Sequence, residues 1–188
     1  MKLVDIYIDY FLLLRAEIEM VLERKRQNFA VKLMQHNEQC PRLASSGISK
    51  LLKLRYLNLS GSSISSLTLS HGLQCVDLRQ LHLSECRGGL VSEQGLVQMT
   101  KIITSLHHLS LASSCITDLG LVEIVSSLAR LEHLDVRRCV GLTSGVLPPL
   151  AHLAPNLNTL LISGCSAIHP EVVKSVVPHL KYIKTIDL

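Results

Sequence analysis

Three histidines, His82, His108 and His133, recur at intervals of 26 and 25 residues, and Ser110, Asp135, Arg137 and Arg138 stand beside them. These side chains can bind metal, move protons or grip anions. A closed zinc site needs four converging donors. No carboxylate or thiol falls at a matching position to complete the set, so no metal and no cofactor is expected. Ser110, His133 and Asp135 have the composition of a nucleophilic triad, but that chemistry also needs an oxyanion hole. No nucleophile elbow, Gly-rich phosphate loop or His-Glu-x-x-His occurs in the chain. Recognition remains, and the expectation is a non-enzyme. The forks of Arg137 and Arg138 match carboxylate and phosphate, although the same charges also suit a plain solvated face.

What sets these residues 24–28 apart is a repeat. The triplets Leu57-Asn58-Leu59, Leu81-His82-Leu83, Leu109-Ser110-Leu111, Leu134-Asp135-Val136, Leu160-Leu161-Ile162 and Ile186-Asp187-Leu188 follow one another at steps of 24, 28, 25, 26 and 26 residues. Periods of 20–29 with Leu-x-x-Leu-x-Leu predict one strand and one helix per unit. The fold expected is therefore α/β, a leucine-rich repeat solenoid with a curved parallel sheet on the concave side and helices on the convex side. About five and a half units fill 51–188. Residues 1–50 are expected to form a helical N-terminal cap, with Phe29–Met34 either a degenerate rung or part of one helix over 10–36.

Each rung has nine positions. The ninth is Ser62, Cys86, Ser114, Cys139 or Cys165, small enough to close the inside of the turn, so buried free thiols are expected at the cysteines. Ile116-Thr117-Asp118-Leu119-Gly120-Leu121 then reads as a cap and helix start. Leu121, Ile124, Val125 and Leu128 follow at helical spacing. Met99, Ile102 and Ile103 back the preceding helix, and Pro148 and Pro149 fall in the first turn of a later one, where proline is tolerated.

Strand side chains alternate, so residues between the leucines face the concave surface. That face is the expected partner site: Tyr56, Asn58, Gln80, His82, His108, Ser110, His133, Asp135, Arg137, Arg138 and the apolar Leu161, an anchor candidate. The partner expected there is a protein, with an acidic or phosphorylated segment suited to the arginines. Net charge is +4, from 19 basic and 15 acidic residues, too mild to point to nucleic acid. No run of 18 apolar residues suggests a membrane span, and charges between Asp5 and Glu19 fit a secretory signal poorly. A cytoplasmic or nuclear protein is expected.

The nine residues Leu131 to Cys139, with Ile116 to Leu121, resemble the cysteine-containing class of leucine-rich repeats. The resemblance covers roughly 54–188. That class is found most often in F-box/LRR proteins, the substrate receptors of Skp1–cullin–F-box ubiquitin ligases, where the F-box binds Skp1 and the solenoid holds the substrate. The resemblance implies a protein–protein interaction module, and substrate recognition in such a ligase; the alternative is a non-ligase scaffold or regulatory binding protein. The Leu-Pro pair that opens an F-box is missing from Met1 to Cys40, and the first proline is Pro41. Skp1 or cullin contact would then require an F-box outside this chain.

The inside/outside assignment sets two stability expectations. Leu134→Ala should lower unfolding free energy by roughly 2–5 kcal/mol, read from denaturant melts. Arg137→Ala, on the solvent side, should leave the melt nearly unchanged.

Overall fold

In a computed structural model, which describes residues 55–61, 77–86 and 92–187, the rungs form as spaced. Strands β1 (Tyr56–Asn58), β2 (Gln80–His82), β3 (His108–Ser110), β4 (His133–Asp135), β5 (Thr159–Leu161) and β6 (Thr185–Asp187) make one sheet in chain order. Every pairing is parallel, and the central residues align as Leu57, Leu81, Leu109, Leu134, Leu160 and Ile186. The chain is an α/β leucine-rich repeat solenoid over these residues. The N-terminal cap and the degenerate rung at 29–34 lie outside them.

Helices α1 (Glu93–Ile102), α2 (Asp118–Ser126), α3 (Leu147–Leu153) and α4 (Pro170–Val176) return the chain on the convex side, with 3-10 turns at Ser144–Val146 and Val177–His179. Between sheet and helices lies an aliphatic spine. Leu81, Leu106, Leu109, Leu131, Leu134 and Leu160 are fully buried, and Leu121, Ile124, Val125 and Leu128 meet them from α2. One expected helix position differs: Ile102 is 44% exposed, because Leu96, Val97, Met99 and Ile103 already fill the inward stripe of α1.

Helix starts are tied to the rung before. Thr117 caps α2 by accepting from the Gly120 N–H at 3.4 Å, and its own N–H and hydroxyl donate to the Glu93 carboxylate at 2.7 and 2.8 Å. One rung on, Thr143 donates from its N–H to Asp118 at 2.8 Å, and its hydroxyl donates to the other oxygen. Ser144 then accepts from the His169 N–H at 2.8 Å. This explains the glycine in Thr117-Asp118-Leu119-Gly120: a Cβ at Gly120 would lie 2.0 Å from the Glu93 side chain.

Strand ends are bound by a second ladder. The eighth residue of each rung donates its N–H to the seventh carbonyl of the next: Gly61 to Ser84, Glu85 to Ala112, Ser113 to Arg137 and Arg138 to Ser163, at 2.7–2.9 Å. All five eighth positions are left-handed, with φ of 72° at Gly61, 56° at Glu85, 59° at Ser113, 56° at Arg138 and 78° at Gly164. Only two are glycine, so three side chains are held in a conformation unfavourable to L-residues.

The inter-rung acid is a stability element. Asp118→Ala strips the carboxylate from the Thr143 cap and should cost about 1 kcal/mol, seen as a lower denaturant midpoint at unchanged m-value. An unchanged midpoint would mean that water replaces Asp118 fully.

Candidate functional site: the concave ring stripe

The residues between the rung leucines do share one face. Tyr56, Asn58, His82, His108, His133 and Leu161 are half-buried, and Gln80, Arg137 and Arg138 are exposed. On it the rings form a continuous stripe. Tyr56 lies 5.2 Å from His82 between ring centroids, His82 lies 4.7 Å from His108, and His108 stacks on His133 at 3.9 Å with planes 7° apart. The stripe steps diagonally, since Tyr56 pairs in register with Gln80 and His82 sits opposite Asn58.

Among the described residues no three His, Cys, Asp or Glu side chains are placed to hold a metal ion. Burial against neighbouring strands disfavours the charged form. It lowers His82, His108 and His133 below 6.5, and His108, which also meets both other histidines, is pushed down to about 4. At neutral pH the three imidazoles are uncharged.

Two members expected as contact residues are not at the surface. Ser110 and Asp135 are only 3% and 5% exposed, because neighbours consume their polar atoms. The Ser84 and Ser110 hydroxyls lie 2.7 Å apart, and Ser110 donates to Asp135 at 3.0 Å. That bond also separates Ser110 from the triad arrangement, since its hydroxyl runs to the carboxylate and not to an imidazole. Arg137 donates through Nε and Nη2 to the two oxygens of Asp135, each at 2.9 Å. Burial tends to raise the Asp135 pKa, but the hydrogen bonds from Arg137 and Ser110 outweigh it and hold the carboxyl below its ordinary value.

The fork of Arg137 is therefore already engaged, which revises the expected grip on an acidic guest. It leaves Nη1 and one Nη2 proton for a partner. The expectation for stability changes too: Arg137→Ala would strand a nearly buried carboxylate, so it should lower stability measurably. Arg138 stands apart from this pair, in the left-handed turn beyond β4. Leu161 is half-buried, like the rings, and lies in register between Asp135 and Asp187. The most exposed large apolar side chains among the described residues are Leu119, Val140 and Tyr182, none of them expected as contacts.

The ninth-position sulfurs point inward as spaced. Cys86 donates to the Leu59 carbonyl at 3.5 Å, Cys139 to Leu111 at 3.3 Å and Cys165 to Val136 at 3.1 Å. Burial raises the Cys139 and Cys165 thiols above their ordinary range.

No family profile and no curated protein matches the chain. Among solved structures it is similar to TLR13 in its complex with the single-stranded RNA ssRNA13, with 21% identity and a TM-score of 0.56. The match covers 75% of this chain and 20% of that one, so the chain spans about a fifth of its neighbour's length. The likeness is one of fold.

The lowered imidazoles give a pH dependence with a definite sign. The unfolded chain takes up protons near pH 6.5, while folded His108 resists down to about 4. The unfolded state thus binds more protons in that window, and stability falls as pH is lowered through it. The melting temperature should drop between pH 7.5 and 5, and His108→Gln should flatten the slope. A melt independent of pH in wild type would contradict the buried stack.

Proposed function

We propose that this chain is a protein-binding module whose concave sheet holds a polypeptide guest. The observation that carries this reading is the ring stripe from Tyr56 to His133, four rungs of half-buried rings on the face that the repeat leaves open. Rings of this kind offer broad contact area with little side-chain entropy to lose. Because the imidazoles are neutral near pH 7, the stripe favours a polypeptide over a polyanion such as the RNA bound by TLR13. No enzymatic role is proposed.

The setting proposed is substrate recognition in a Skp1–cullin–F-box type ubiquitin ligase, in the cytoplasm or nucleus, with any F-box supplied outside these residues. What supports it is the repeat class. Inward thiols at Cys139 and Cys165 and the Thr117-Asp118-x-Gly120 helix start are the features by which the rungs resemble F-box/LRR receptors. No described helix is long and apolar enough to cross a membrane.

Affinity capture after in-cell crosslinking, with the protein tagged and substituted at its own genomic locus so that any segment outside these residues is kept, tests both levels. Wild type should recover Skp1 and a cullin together with guest proteins. His108→Ala/His133→Ala should lose the guests at least tenfold while Glu123→Ala, on the convex side, keeps them. Equal recovery by the ring variant would refute the concave reading. Guests that depend on the rings, with Skp1 and cullin repeatedly absent, would refute the ligase setting and favour a scaffold.

A further inference from the structure

The three non-glycine residues held left-handed, Glu85, Ser113 and Arg138, sit on the rungs that carry His82, His108 and His133. The flanking rungs have Gly61 and Gly164 at the same position. Backbone strain persists where surroundings over-determine it. Here the N–H groups of Glu85, Ser113 and Arg138 are each consumed by a carbonyl of the next rung. The turn is thus imposed by the ladder whatever residue occupies it, and the side chains are presented along the rim of the sheet.

Their charges differ in sign across the rim. Glu85 is exposed on the second described rung and Arg138 on the fourth, with the uncharged Ser113 between. Among the described residues no ion pair engages either charge, whereas Arg137 beside them is paired to Asp135. Arg138 is further directed by Gly164: a Cβ there would come within 3.0 Å of the Arg138 Cγ, so the missing side chain leaves room for the arginine stem to lie toward the fifth rung.

Resting on the concave-face reading above, we infer that this rim is a bipolar docking edge for an extended polypeptide that crosses the rungs, with a basic side chain against Glu85 and an acidic one against Arg138. Two strand spacings of about 4.8 Å, roughly 9.6 Å in all, separate the rungs of Glu85 and Arg138, and a guest in the polyproline II form of extended chain rises roughly 3.1 Å per residue and returns the same face every third residue. The complementary pair in the guest is therefore about three positions apart. Neutral rings beneath and opposite charges at the ends set both the register and the direction of the guest, as electrostatic complementarity does at interfaces generally.

The test is selection of a random linear-peptide display library on the full chain, with wild type, Glu85→Arg, Arg138→Glu and His108→Ala/His133→Ala as baits. Wild type should enrich peptides with a basic and an acidic residue about three apart. Arg138→Glu should replace the selected acid by a base, and Glu85→Arg should replace the selected base by an acid, with wild-type peptides bound at least tenfold more weakly in each case. Peptides that lose binding to the ring variant but show no charge pair, or keep the same pair after either reversal, overturn the bipolar edge and leave the concave reading standing. Failure to enrich any peptide above background, or enrichment indifferent to the ring variant, overturns both. A single-stranded RNA oligomer that displaces the selected peptides, and whose own binding is lost in Arg138→Glu, would show that the edge serves a polyanion and overturn the inference.

Discussion

Parallel strands of three residues make too few hydrogen bonds to define a sheet by themselves, so the geometry of this solenoid depends on what happens at each strand's end. There the N–H of the eighth residue donates to the carbonyl of the seventh residue one rung on, from Gly61 through Arg138. The bond requires a left-handed residue at every turn. It fixes the register, and in that register the leucines at the fourth and sixth positions point inward. The convex side repeats the logic with side chains, since Glu93 and Asp118 hold the helix caps of their successors.

The concave face inherits its properties from that register. Ring contacts at 4.7 Å, tilted, and 3.9 Å, stacked, follow from placing histidines on consecutive rungs at nearly the strand spacing. The same closeness makes charging them unfavourable. Asp135, the last residue of β4, and Arg137, two residues on in the turn, meet in a bidentate pair that buries the acid and leaves part of the arginine outward. The face is thus largely neutral at its centre and charged at its margin.

Much of this was legible in the residues. The rung leucines, the inward Cys139 and Cys165 and the Thr117 cap are local patterns whose physics is complete within one repeat. Tyr56, Gln80, His108 and His133 share one column, but His82 lies two residues further along and joins Tyr56 and His108 only through diagonal contacts, which depend on how side chains lean across the register. Strand alternation placed Asp135 and Arg137 together, yet gave no measure of the burial that turns a contact pair into an internal one. Glu93 and Asp118 were missed as inter-rung links because their partners lie 24 and 25 residues away; the signal was Gly120, a residue with no other reason to be there. Gly61 and Gly164 likewise marked the left-handed turn, but Glu85, Ser113 and Arg138 masked the column.

The sulfurs facing the spine have a chemical consequence of their own. Alkylation and oxidation proceed through the thiolate, and at Cys139 and Cys165 both the raised pKa and the lack of solvent access suppress it. A reagent can reach them only while their rungs are parted from their neighbours. Each is therefore a natural clock for breathing of its own layer, set against the exposed Cys115 on the same chain as an internal zero.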